Sequence, residues 1–223
     1  MAIRVRSASA CLLGLFLAGC SVGDYEAKML DAQNRVARFE ESNRLLEGPL
    51  VMPTRVDKGI TIVDIDLFLR PPKGISTAPS NEASPRGRIL YTYPPSRAGG
   101  AAPFASVEIA YAAKDAKDFE ANVIGVFSST SKGTSRSRQV IPLGRPALTF
   151  TTVEFDDASY SNSVNFIKGS ISQLAIVYRI NRGSKTQASR AIEVSLATCA
   201  VDSEAYTVRK NQGTPLTVPH HPK

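Results

Sequence analysis

The sequence predicts an α+β fold: an antiparallel sheet with two packed helices, preceded by an isolated N-terminal amphipathic helix. Three observations point there. From residue 50 onward several segments alternate apolar and polar residues with period two. Two of the gaps between such segments carry a helical period instead. And residues 24–47 contain neither Gly nor Pro and are rich in helix formers. Strands adjacent in sequence and joined by short turns make antiparallel sheets, onto which helices pack.

The leading helix comes first. Tyr25, Met29, Ala32, Val36, Phe39, Asn43 and Leu46 follow one another in steps of four and three, a heptad pattern over three repeats. Asp24–Lys28, Asp31–Arg35 and Glu40–Arg44 are acid-before-base pairs at i, i+4, the favourable order. Gly48-Pro49 ends the helix. Two readings stay open. One is a short coiled coil that joins copies of the chain through residues 24–47, with Asn43 at an a position setting the register. The other is an amphipathic helix that packs on its own domain or acts as a spacer. Ala32 and Asn43 in the seam make any such zipper weak.

Residues 49–208 form the globular domain. Val63, Ile65, Leu67 and Leu69 alternate with Asp64, Asp66 and Phe68 and predict a strand over 59–70. The stretch 71–103 is rich in Pro and Gly and reads as loop, with a short strand at Ile89–Tyr93. Val107, Ile109 and Tyr111 alternate again. A helix is expected over 115–128, capped by Asp115, with Phe119, Val123, Val126 and Phe127 on one face. Residues 128–138 read as a polar, basic, flexible loop. Strands follow at 147–156, 159–167 and 171–181, the last two paired through Lys168-Gly169-Ser170. A helix over 185–199 with Ser184 as N-cap places Ala188, Ala191, Ile192, Ser195, Leu196 and Cys199 on its buried face. A short strand is expected at Tyr206–Val208, then a polar, disordered tail over 209–223.

The first twenty residues read as an address. Arg4 and Arg6 precede a short apolar run, Cys11 to Ala18, about half the ~20 residues that a spanning helix needs. Leu17-Ala18-Gly19-Cys20 then resembles the lipobox of bacterial lipoproteins. The resemblance implies that residues 1–19 are a signal peptide, that Cys20 is the lipidated first residue of the mature chain, and that residues 20–48 are anchor and helix. It implies a bacterial cell envelope location with the membrane as a partner. Ser21, where an Asp would favour the inner membrane, tilts the expectation toward the outer one. Loss of Arg4 and Arg6 lowers the basic residues from 27 to 25 against 20 acidic ones, a formal charge of +5. That excess is too small to argue nucleic-acid binding. Cys199 is then the one remaining thiol.

Element order adds a second resemblance. Leu67-Phe68-Leu69-Arg70-Pro71-Pro72-Lys73-Gly74, the helix near 119–127 and the run 147–199 together resemble the PsbP-like family, over roughly residues 60–208. The family's aromatic positions near its end are not recognisable. The resemblance implies a binding or assembly module without chemistry of its own.

The residues themselves show no catalytic constellation. His220 and His221 both lie in the tail, which leaves no imidazole in the folded part to act as a base. H-E-x-x-H, G-x-S-x-G, Walker A and G-x-G-x-x-G patterns are missing. Asp64-Ile65-Asp66 with Asp156-Asp157 superficially resembles the paired carboxylates of haloacid-dehalogenase-type phosphotransferases, but those need a parallel sheet. The reading preferred is that Asp64 and Asp66 face solvent and Asp156-Asp157 make a turn. No cofactor and no metal are expected. Lys132, Arg136 and Arg138 are the candidate contacts to an anionic envelope partner. The function expected is a membrane-anchored binding or assembly module and not an enzyme. The alternatives are an envelope hydrolase or transferase with an unrecognised site, or a structural spacer.

Overall fold

The structure, a computed structural model, describes residues 10–52, 54–57, 60–63, 66–80, 89–96, 103–127, 133–143 and 145–212. The chain divides into two compact units at Arg44/Leu45. Among the described residues the first consists of one helix, α1, Ala10–Leu45, whose last residue begins the second unit. It starts earlier than the expected 24 and runs unbroken through Cys20. Residues 10–45 hold no Pro, and their three glycines, Gly14, Gly19 and Gly23, weaken a helix without breaking it. Tyr25, Met29, Leu30, Val36 and Phe39 are all exposed. Leu46 leaves the heptad seam: it lies beyond the helix, is 2% exposed and bridges to Pro72 in the second unit. Among the described residues, no helix is long and apolar enough to cross a membrane.

The second unit is α+β, with antiparallel sheets. It opens with a hairpin, β1 (Thr54–Asp57) and β2 (Ile60–Val63), followed by the two-residue β3 (Leu67–Phe68). The single strand expected over 59–70 is therefore split. Next come β4 (Ile89–Tyr93), where the short strand was expected, β5 (Phe104–Ala113) and α2 (Phe119–Phe127). Helix α2 starts later than expected and Asp115 does not cap it. Asp118, at φ +56°, makes the sharp entry instead, and its carbonyl accepts from the Asn122 N–H at 2.9 Å. Then come β6 (Thr134–Val140), β7 (Leu148–Asp156), β8 (Tyr160–Lys168), β9 (Ser172–Asn181) and α3 (Lys185–Thr198). The chain closes with β10 (Ala200–Val201) and α4 (Ser203–Gln212). The strand expected at Tyr206–Val208 is thus a helix.

Six strands make the main sheet, in the order β4-β5-β9-β8-β7-β6 and antiparallel throughout. Strand β9 runs through its centre and shows why two clusters form. Leu174, Ile176, Tyr178 and Ile180 point to one face, Ala175 and Val177 to the other. The first face carries the larger cluster, with Phe150, Val107 and Ile109 beneath Ala188, Ala191, Ile192 and Leu196 of α3. The second face carries Ala110, Val153, Phe155, Val164 and Phe166 together with Phe119 and Val123 of α2.

Polar staples hold the first face. Buried Tyr178 donates to the Ser195 hydroxyl at 2.9 Å, and that hydroxyl donates to the Arg70 carbonyl at 2.6 Å. The Arg70 N–H in turn donates to Thr198 Oγ1 at 2.9 Å, and its Nε to the Glu47 carbonyl at 2.8 Å. Ser184 precedes α3 as expected, but its side chain makes no cap bond. Gly183 supplies the φ of +92° that turns β9 into α3, a conformation that only Gly adopts without strain.

At the far end, β10 pairs with β3 and α4 packs on both. Arg209 donates to the Leu67 carbonyl, and Arg145 joins Glu204 at 2.9 Å. Asp202 organises this corner. It is 4% exposed and sits at φ +53°. Its carboxylate accepts from the Ile171 N–H at 2.9 Å, from Ser172 Oγ at 2.6 Å and from Ser170 Oγ at 3.1 Å. Burial would raise its pKa, but these donors win and hold it below 3.8.

Candidate functional site

The basic residues expected in a loop lie on a strand. Arg136 and Arg138 belong to β6 at the sheet edge; Lys132 lies outside the described residues. The physical reason is the register. Pairing of β6 with β7 sets Thr134 opposite Glu154, Arg136 opposite Thr152 and Arg138 opposite Phe150. Alternation then sends Arg136 and Arg138 to the same face, the one that carries α3.

Glu154 is the hub of that face. Its Oε1 accepts from Arg136 Nη2 at 2.5 Å and from Arg138 Nη2 at 3.2 Å. Lys185, the first residue of α3, brings its Nζ to 3.3 Å from Oε2. Three cations therefore share one carboxylate. The Arg138 side chain is 15% exposed, and burial together with the Arg136 charge lowers its pKa. The Arg136 side chain is 54% exposed. Behind the hub, Thr152 donates to Asn165 Oδ1 at 2.9 Å, and both are fully buried. That bond pairs the two buried side chains and ties β7 to β8.

An open cleft of about 370 Å³ lies here, lined by Thr134, Arg136, Glu154, Phe155, Asp156 and Lys185. Its chemistry is that of ion pairing. An exposed guanidinium next to an ammonium suits a carboxylate or phosphate, and Arg can take either in a two-point bond. The charged strand also shields the sheet edge against uncontrolled pairing with other strands.

The other face has its own polar cluster. The Arg179 guanidinium lies 4.3 Å above the Tyr160 ring, 3.7 Å from Glu108 and 3.7 Å from Asp157. Asp157 begins the β7–β8 turn, as expected. Burial pushes its pKa up, but the N–H groups of Ser159 and Tyr160, the Asn162 amide and Arg179 hold it down. With two carboxylates beside one guanidinium, this cluster is formally negative and does not suit an anionic partner.

The remaining candidates fall elsewhere. Asp64, His220, His221 and the side chain of Cys20 lie outside what is described; Asp66 is exposed and Asp156 ends β7. Cys199 is fully buried, and burial pushes its thiol up to about 12, which makes it a poor nucleophile. Among the described residues, no group of three or more His, Cys, Asp or Glu could hold a metal ion.

Sequence reasoning missed Glu154 and Lys185 as members of the basic cluster. One signal was available: Arg136 and Arg138 stand two apart, the spacing of one strand face. Comparison with protein-family models and with curated proteins gives no match.

Proposed function

We propose that the chain is a membrane-anchored envelope lipoprotein whose globular unit acts as a binding or assembly module. The observation that carries the reading is the Leu17-Ala18-Gly19-Cys20 run behind Arg4 and Arg6, ahead of a separate compact unit that begins at Leu45. Acylation at Cys20 tethers the chain, since each buried methylene contributes about 0.8 kcal/mol. The binding face is the β6 edge. Arg136 and Arg138 there, next to Lys185, offer a partner more positive than negative charge around Glu154. An acidic segment of an envelope protein is the partner chemistry that this edge suits.

Two experiments test the two halves. A metabolically supplied fatty acid labels the wild type and leaves Cys20→Ala unlabelled; equal labelling of both ends the lipoprotein reading. For the binding half, the full chain is cross-linked in native envelopes, beside an Arg136→Glu/Arg138→Glu variant and a Lys114→Glu control, Lys114 being an exposed residue just after β5. A partner present with wild type and control and lost with the double variant supports the β6 edge. A partner that survives the double variant moves the binding face elsewhere.

A further inference from the structure

We propose that α1 pairs with the α1 of a second copy of this chain, as a parallel, in-register, two-stranded coiled coil. The proposal is independent of lipid at Cys20. Its starting point is a seam with no cover: Tyr25, Met29, Val36 and Phe39 are exposed along one stripe of the helix, at 64, 46, 57 and 52%. Apolar side chains repeating every 3.5 residues bury themselves best against an identical stripe.

Charges beside the seam choose the partner and its direction. With Met29, Val36 and Asn43 at a positions and Tyr25, Ala32 and Phe39 at d positions, the g positions are Lys28, Arg35 and Ser42. The e positions are Glu26, Gln33 and Glu40. One side of the seam is thus basic and the other acidic. In a parallel pair each g residue faces the partner's e residue five positions on. Arg35 then meets Glu40 of the other copy, twice by symmetry, and Lys28 meets the neutral Gln33. In an antiparallel pair of the same overlap g faces g and e faces e, which sets Arg35 against Arg35 and Glu26 against Glu40 of the other copy, while Lys28 meets the neutral Ser42. Like charges across a seam reject that arrangement.

Strand number follows from the core residues. Val36 is β-branched at an a position, and Asn43 occupies the next a position; both favour a two-stranded pairing, and facing asparagines lock the register. Arg35 already bonds Asp31 and Lys28 lies 3.5 Å from Asp24 within each helix, so the pairs that hold the seam residues in helical geometry are in place before association.

The test uses the full chain in density-matched detergent, by sedimentation equilibrium at tens of micromolar and above. The expected species is a dimer. Arg35→Glu sets a carboxylate against Glu40 of the other copy, and Glu40→Arg sets one guanidinium against another; each raises Kd about tenfold. The double variant Arg35→Glu/Glu40→Arg restores wild-type affinity. If Arg35→Glu acted only through its own helix, by repelling Asp31, the double variant would stay weak. A strict monomer at every concentration, a trimer or larger species, a tighter association in Arg35→Glu, or an unrescued double variant each overturns the proposal.

Discussion

Asp202→Ala destabilises the globular unit by about 3 kcal/mol, because three donors to a buried carboxylate lose their acceptor at once. Ser172 is 1% exposed and Asp202 is 4% exposed, so water cannot replace the carboxylate fully. Ala at φ +53° adds backbone strain that Asp or Asn tolerates. Gly169→Ala strikes the same hub from the other side. A Cβ there would overlap Asp202 Oδ2 and stand 2.9 Å from its Cγ, and three hydrogen bonds prevent the carboxylate from stepping aside. Urea unfolding followed by far-UV circular dichroism reads both, and midpoints equal to wild type would refute the hub.

The same residue gives a pH dependence with a defined sign. The pKa of Asp202 is lower in the folded chain than the ordinary 3.8. Its contribution to stability is therefore complete above pH 3.8 and lost as pH falls through the folded value. Asp202→Asn removes that share. Its stability falls less steeply than that of wild type when the pH is lowered from about 5 through the carboxylate range. Parallel curves for the two proteins would show that the carboxylate is not held down.

Phe119→Ala frees α2 from the sheet, at a cost of about 4 kcal/mol. Phe119 is 4% exposed and meets the Phe166 ring edge-on, with centroids 6.2 Å apart. Only Val123 accompanies it as a fully buried residue of the helix, while Val126 is half exposed. The helix is short and closes one side of the second cluster, so its loss is local. Native-state hydrogen exchange should show α2 amides exchanging fast while those of β8 and β9 remain protected. Uniform loss of protection across β9 would mean that α2 is bound into the whole sheet.

Where the sequence could be read, a dense apolar pattern made it legible. Strands β7, β8 and β9 each bury alternating Val, Ile, Phe and Leu, and their pairing follows from short turns. Helix α3 shows its stripe in full, and every member, Cys199 included, is buried. The opposite holds for β6. Thr134-Ser135-Arg136-Ser137-Arg138-Gln139 has no apolar side, since an edge strand over a charged hub buries little, so composition reads it as loop. Tyr206-Thr207-Val208 has strand-like residues, yet α4 forms there. Asp202, tied to Ser170, Ile171 and Ser172, aims the chain, and Ala205 then docks beside Phe68 and Ala200.

By itself the sequence determined the Leu17-Ala18-Gly19-Cys20 run, the heptad spacing of the leading helix and the α+β class. All three are short-range patterns of charge, size and period, visible without knowing what lies across the fold. Only the tertiary structure decided that Arg136, Arg138 and Lys185 meet at Glu154, and that Asp202 grips a hairpin some thirty residues before it. Those contacts depend on strand register and on helices crossing a sheet, and such long-range geometry has no local signature.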